Sequence, residues 1–226
     1  MIDKNKCEKN LRAGLAKMNI VLSDKKIQLL IAYLTEFVKW NKAYNLSAIR
    51  DPLAMVEKHL LDSLVLVPFL EKAIEKNQPT IQRIIDVGTG GGLPGIPLAI
   101  CYPQAKFTLM DSIGKKIMVV EDMVNRLELS NTEVRRGRVE ELPKKKTYDF
   151  VLGRAVTSLP VFFQWVRDKV AKGSRHSPAN GILYLKGGDY TEELRASKLT
   201  PAKIWSLDEL LPEAELGEKY LIHFKL

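Results

Sequence analysis

Ile84-Ile85-Asp86-Val87-Gly88-Thr89-Gly90-Gly91-Gly92-Leu93-Pro94-Gly95 is the stretch whose reading decides the fold. It begins as a short apolar run of the kind that forms a buried parallel strand, and its glycines then turn the chain into a helix. Glycine permits positive φ and close approach of a ligand to the main chain, while the following helix offers free N–H groups. Four glycines in the five residues 88–92 would weaken a turn that only turns. The stretch is therefore read as a nucleotide-type cofactor site rather than a plain strand-to-helix turn.

Outward from that stretch the pattern repeats. Strands are predicted at 82–87, 106–111, 132–136, 148–153 and 181–186, and helices at about 92–101, 114–128, 158–172 and 189–197. Alternating units of this kind imply a parallel sheet covered on both faces. Two further strand-like runs, Lys203 to Leu207 and Tyr220 to Lys225, are expected to form an antiparallel edge, joined by an acidic, proline-containing connection. Gly173 to Asn180 reads as a polar loop. Before Ile81 the chain looks helical. Ile27, Leu30, Ile31, Leu34, Phe37 and Val38 recur at helical spacing behind Ser23 as cap, and Asp51-Pro52 opens a helix carrying Met55, Val56, His59, Leu60, Ser63 and Leu64 on one side. Pro79 marks a boundary, giving a helical extension over residues 1–80 and an α/β domain over 81–226.

The 226 residues suffice for one large core with something attached. The formal charge of +8 is unevenly spread, at +5 over residues 1–60, −1 over 61–130, +7 over 131–186 and −3 over 187–226. Two positive blocks thus flank the glycine turn, which favours a polyanionic partner. Cys7 and Cys101 stand alone with no metal spacing, so neither a disulfide framework nor a metal site is expected. The start of the chain has no signal-peptide core, and Leu60 to Leu70 is too short and too interrupted to span a bilayer. A cytoplasmic protein without a membrane partner is expected.

Two cofactors compete for the turn. Gly90, Gly92 and Gly95 satisfy the spacing of dinucleotide binders, with Asp111 placed for a ribose, which suits a nicotinamide-dependent oxidoreductase. Asp86-x-Gly88-x-Gly90-x-Gly92 instead suits S-adenosyl-L-methionine: Asp86 would accept hydrogen bonds from its ammonium directly or through water, and Asp111 from both ribose hydroxyls. Asp111 also reads as a cap for the helix near Gly114, and Val139-Glu140 reads either as an adenine bracket or as the first turn of a short helix.

Seven segments together carry a family resemblance. They are Trp40-Asn41-Lys42-Ala43-Tyr44-Asn45-Leu46, His59-Leu60-Leu61-Asp62-Ser63, Asp86 to Pro97, Leu109-Met110-Asp111-Ser112, Arg138-Val139-Glu140-Glu141, Gly153-Arg154-Ala155 and Leu185-Lys186-Gly187. Over roughly residues 20–190 the chain resembles the RsmG (GidB) family. The resemblance implies a Rossmann-like class I S-adenosylmethionine-dependent methyltransferase with a mostly parallel seven-stranded sheet and a helical N-terminal extension. It further implies methylation of N7 of a guanine in the 530 loop of bacterial 16S ribosomal RNA, with the RNA or the small ribosomal subunit as partner and a monomeric enzyme. By position, Gly88, Leu93, Val139, Glu140 and Arg154 match the family's cofactor-contacting residues, with Asp111 as the ribose partner of the wider superfamily. Gly91 departs from the more usual Gly-x-Gly-Pro-Gly and is expected to loosen the turn. The C-terminal tail matches less clearly.

Guanine N7 has a free lone pair, so its methylation needs no dedicated general base. No Asn/Asp-Pro-Pro-aromatic motif follows the fourth strand, where Gly153-Arg154-Ala155-Val156 stands instead, and neither cysteine is placed as a nucleophile. Arg154, Lys186 and His59 are candidate substrate-orienting residues; the bland readings are a salt bridge from Arg154 to Asp149 or Glu140 and a satisfied core histidine. Lys25-Lys26, Lys39-Lys42-Arg50, Arg135-Arg136-Arg138 and Lys144-Lys145-Lys146 are candidate phosphate contacts, and Trp40 and Tyr44 read as interdomain packing or as a base-stacking pair. A non-enzymatic RNA-binding module is the remaining alternative.

Overall fold

Ile84, Ile85, Val87, Phe107, Leu109 and Val151 are all buried, and they lie in the middle of a seven-stranded sheet. The computed structural model describes residues 2–76, 82–144, 147–172, 179–210 and 217–226. Its strands are β1 (Arg83–Val87), β2 (Lys106–Asp111), β3 (Thr132–Arg136), β4 (Phe150–Arg154), β5 (Gly181–Gly187), β6 (Lys203–Ser206) and β7 (Lys219–Lys225), in the order β3-β2-β1-β4-β5-β7-β6. The first five pair parallel, with buried, largely apolar centres in β1, β2, β4 and β5 and the more polar β3 at the edge. The expected antiparallel edge is different in detail. β7 runs antiparallel to both β5 and β6 and lies between them, so β6 forms the edge and points the same way as the parallel strands.

Helices cover both faces. On one side α1 (Lys4–Lys17), α2 (Asp24–Tyr44), α5 (Val67–Lys76), α6 (Gly95–Cys101) and α7 (Gly114–Arg126) share a core with Ile84, Phe107, Leu109, Leu152 and Leu183. On the other, α8 (Leu159–Val166) packs on Ile85, Val87, Met110, Val151 and Ile182, and a short 3₁₀ turn (Val139–Glu141) follows β3. Trp40 Nε1–H donates to Asp122 Oδ2 at 3.0 Å, tying α2 to α7, so this tryptophan serves packing. The helix opened by Asp51-Pro52 is not uniform. Asp51 caps it by accepting from Ala54 N at 2.7 Å, after which α3 (Pro52–Met55) widens into a π-helical segment (Val56–Leu61) and closes as α4 (Asp62–Leu64). Such wide turns are uncommon and concentrate at functional sites. Helices α9 (Thr191–Ser197) and α10 (Leu207–Leu210) complete the chain. Pro79, most of the polar loop after Lys172, Lys145 and Lys146, and part of the acidic connection before β7 lie outside the described residues.

Asp86 braces the centre of this arrangement rather than reaching toward a ligand. Side chains alternate along a strand, and Asp86 shares the face of Ile84, beneath α6. It is fully buried; Oδ2 accepts from Thr89 Oγ1 at 2.7 Å and from Gly95 N at 2.9 Å, while Oδ1 has no hydrogen-bond partner among the described residues. The expected contact with a cofactor ammonium is therefore corrected. Burial outweighs the two donors and pushes the carboxyl up to about 6 from an ordinary 3.8. Between those values the native state keeps a proton that the unfolded chain has released. Stability should thus be greatest at the acidic end of that interval and fall as pH rises through it, by on the order of 2–3 kcal/mol. Asp86→Asn retains an acceptor for Thr89 and Gly95 and cannot ionise. Its urea midpoint should change less between about pH 4 and pH 7 than that of the wild type; equal slopes would remove Asp86 as the titrating group.

Candidate functional site

The glycine turn is fixed from three sides. From β2, Met110 O accepts from Gly88 N at 2.8 Å and Thr89 N at 3.0 Å, and Asp111 Oδ2 accepts from Gly90 N at 3.0 Å. From α2, Tyr33 O–H donates to Gly91 O at 2.8 Å. From below comes Asp86. Gly88 and Gly90 hold φ of +72° and +61°, the left-handed region that glycine occupies without strain. Gly91 does not loosen the turn as expected. A Cβ there would stand 2.4 Å from the Phe37 ring, so Gly91 is where α2 approaches the turn most closely.

Two cavities open beside the turn at the C-terminal ends of the parallel strands, the usual ligand position in such sheets. The smaller, about 270 Å³, is bordered by Gly88, Asp111, Val139, Glu140 and Val156 among others. The larger, about 700 Å³, has Gly88, Gly90 and Leu93 on one wall, Arg154 and Lys186 on another, and Phe37, Ser47 and His59 from the helical extension. Gly88, Lys116, Ala155 and Val156 border both. The geometry thus gathers Gly88, Gly90, Leu93, Asp111, Val139, Glu140, Arg154, Lys186 and His59 around one bipartite space and leaves Asp86 outside its wall.

Asp111 braces the turn and the approach to α7 without capping that helix, whose N-cap is Ile113 with no side-chain cap bond. Oδ1 accepts from Ile113 N at 2.9 Å just ahead of α7, Oδ2 accepts from Gly90, and an ionised carboxylate still has lone pairs left for a diol. Glu140 is exposed and Val139 buried, both in the 3₁₀ turn.

Arg154 has a partner other than those anticipated. Its Nη1 donates to Asp62 Oδ2 at 2.9 Å and to Lys58 O at 3.4 Å, and Asp62 Oδ1 accepts from Lys219 Nζ at 2.5 Å. One carboxylate on the extension thereby holds a cation from β4 and another from β7. Lys186 pairs with Glu193 Oε1 at 2.7 Å, and Glu193 also accepts from Leu159 N at 2.8 Å. His59 contacts Lys58 O through Nδ1 and Ser47 Oγ through Nε2, each at 2.8 Å. The carbonyl can only accept, which places the proton on Nδ1 and makes Ser47 the donor to Nε2. Burial lowers the affinity of His59 for a second proton. Tyr184, unremarked in the sequence, shapes the floor. Its hydroxyl accepts from Val156 N at 3.1 Å and Thr157 N at 3.3 Å and donates to Thr157 O at 2.7 Å, fixing the loop after β4.

Cys7 and Cys101 are buried away from both cavities, and burial pushes the Cys101 thiol up to about 12, so a thiolate nucleophile is not supplied there. Among the basic clusters, Arg135 pairs with Glu133, Lys39 with Glu36, and Arg50 with Asn41 O and Asn45 Oδ1, which commits part of two of the four clusters to local structure. The N-terminus of α6 is closed to a pyrophosphate. Asp86 already accepts the Gly95 N–H there, so the dinucleotide frame has nowhere to seat its phosphates.

A family model described as rRNA small subunit methyltransferase G matches residues 26–213. The chain is 41% identical over 221 residues to the ribosomal RNA small subunit methyltransferase G of Serratia proteamaculans, covering 96% of this chain and 98% of the relative. The protein of that name from Salmonella arizonae is 39% identical over 213 residues, covering 93% and 94%. Among solved structures, coclaurine N-methyltransferase bound to N-methylheliamine and SAH is similar in fold, with TM-score 0.55 at 12% identity, covering 99% of this chain and 94% of that one. A SAM dependent methyltransferase from Aquifex aeolicus gives 0.52 at 15% identity, covering 84% and 96%. Sheet order, glycine turn and end-to-end likeness agree, and the chain belongs to the rRNA small subunit methyltransferase G family.

Proposed function

We propose that this chain transfers the methyl group of S-adenosyl-L-methionine to N7 of a guanine in the 530 loop of 16S ribosomal RNA. Residues 1–80 act as a helical extension and residues 81–226 as the catalytic domain, in a monomeric, cytoplasmic enzyme. Family membership sets aside the nicotinamide-dependent oxidoreductase and the non-catalytic RNA binder. The observation that carries the reading is the bipartite cavity at the glycine turn, one part edged by Asp111, Val139 and Glu140 and the other by cations.

The residues fit the cofactor. A Cβ on Gly88 would clash with Val156 at 2.8 Å, whereas one on Gly90 would meet nothing nearer than Gly88 O at 3.9 Å, so it is at Gly90 that the turn offers bare backbone to the larger cavity. Asp111 would hold the ribose hydroxyls, Val139 and Glu140 would flank adenine, and Gly88, Gly90, Leu93 and Arg154 would face the methionine end. When bound, S-adenosylmethionine supplies an electrophilic methyl carbon to the N7 lone pair. No proton has to leave that nitrogen, and the cavity needs no base. His59, neutral and already bonded on both ring nitrogens, orients the wall rather than moving a proton. Arg154, held by Asp62, and Lys186, held by Glu193, are fixed in direction before any ligand arrives, which is the preorganisation that positioning catalysis requires.

Two measurements test this. Incubating the enzyme with labelled cofactor and 16S rRNA should place label in 7-methylguanosine on nucleoside digestion; label in another nucleoside, or none, refutes the reading. Asp111→Ala should weaken S-adenosylhomocysteine binding by about 1–3 kcal/mol in titration calorimetry, and unchanged affinity would take Asp111 out of the site.

A further inference from the structure

Five cations, Lys58, Lys116, Arg154, Lys186 and Lys219, border the larger cavity against one carboxylate, Asp62. Asp62 neutralises Arg154 and Lys219, and Glu193 answers Lys186 from behind the wall. Lys58 and Lys116 have no carboxylate in ion-pair reach among the described residues. Lys58 is exposed in the π-helical segment; Lys116 is half-buried in the first turn of α7, where the helix dipole opposes a cation, and it borders both cavities. Two unanswered charges from separate elements thus converge on the space that would hold the reacting groups.

A cavity of this sign is poorly suited to its cofactor alone. S-adenosylmethionine carries a sulfonium, an ammonium and one carboxylate and is a net cation, whereas its demethylated product is neutral. One cofactor carboxylate offsets at most one lysine. RNA brings a phosphate on either side of the target nucleotide, and those are the anions the wall lacks. Resting on the function proposed above, we propose that Lys58 and Lys116 anchor the RNA phosphates flanking the target guanine. Their neutralisation then makes RNA binding and binding of the cationic cofactor mutually reinforcing. Reciprocity follows from linkage: whatever RNA adds to cofactor affinity, the cofactor adds to RNA affinity.

Sinefungin, an unreactive analogue with an ammonium in place of the sulfonium, and S-adenosylhomocysteine separate charge from shape. Without RNA, the wild-type enzyme should bind sinefungin about two- to tenfold less well, relative to S-adenosylhomocysteine, than it does with deproteinised 16S rRNA present, as expected for cavity charges several ångströms apart. In Lys58→Glu/Lys116→Glu, and less so in Lys58→Gln/Lys116→Gln, that ratio should already be narrowed without RNA. The same variants should bind 16S rRNA more weakly, with the log–log salt slope smaller by about 1.4 to 1.8. The proposal is overturned if the sinefungin ratio is the same with and without RNA and in all variants, or if RNA affinity and salt slope do not change. It is also overturned if both cofactor ligands weaken equally with RNA binding intact, which would make these lysines cofactor ligands instead. Methyl transfer by the wild type is measured separately, so a working rRNA methyltransferase with unmoved ratios defeats this proposal and leaves the function standing.

Discussion

The position of one glycine turn governs everything at the site, and the turn is rigid because every neighbouring element holds it. Residues 88–92 have little side-chain mass of their own, so β2 supplies Met110 O and Asp111, α2 supplies Tyr33 and Phe37, and β1 supplies Asp86 from beneath. The cost appears in the native state as a buried carboxyl with a raised proton affinity and an oxygen with no partner among the described residues. A buried charge is tolerated where it fixes geometry that packing alone would leave loose. Here it joins β1, the turn and α6 through a single oxygen.

Two acids at strand ends illustrate what the sequence reveals and what it withholds. Asp86 and Asp111 each close an apolar run and precede a helix, and both read as ligand groups. Asp111 stands beside the turn and borders the smaller cavity. Asp86 faces the same side of the sheet as Asp111, because Ile84 and Asp86 pair with Phe107 and Leu109, but it lies within β1 beneath α6 whereas Asp111 is the last residue of β2, beside the turn; no residue of Ile84-Ile85-Asp86-Val87 marks that difference, since both sides of a central parallel strand are buried. Period-2 alternation is informative only where one face is wet.

Local patterns carried the elements well. Ser23 and Asp51 cap the helices they were expected to open, and the core strands fall within two or three residues of their predicted bounds. Partners far apart in sequence were a different matter. Asp62 meets Lys219 across 157 positions, Arg154 across 92, and β7 slots between β5 and β6. None of these leaves a local trace, because pairing between distant segments depends on the completed sheet. Gly91 is similar: its reason is a ring 54 positions earlier, visible only once α2 lies against the turn.

The helical extension does more than decorate the sheet. A doubly wound sheet alone presents an open crevice at its strand ends, where water competes for every hydrogen bond and screens every charge. Phe37, Ser47, His59 and Asp62 come from the extension and form one side of the larger cavity. Methylation at a nitrogen with a free lone pair asks little of proton chemistry and much of alignment and dryness. An enzyme meeting those demands gains more from a second wall than from a base. The π-helical segment suits that purpose, since it lets Lys58, His59 and Asp62 border the same space while their backbone stays hydrogen-bonded within a continuous run of helical turns.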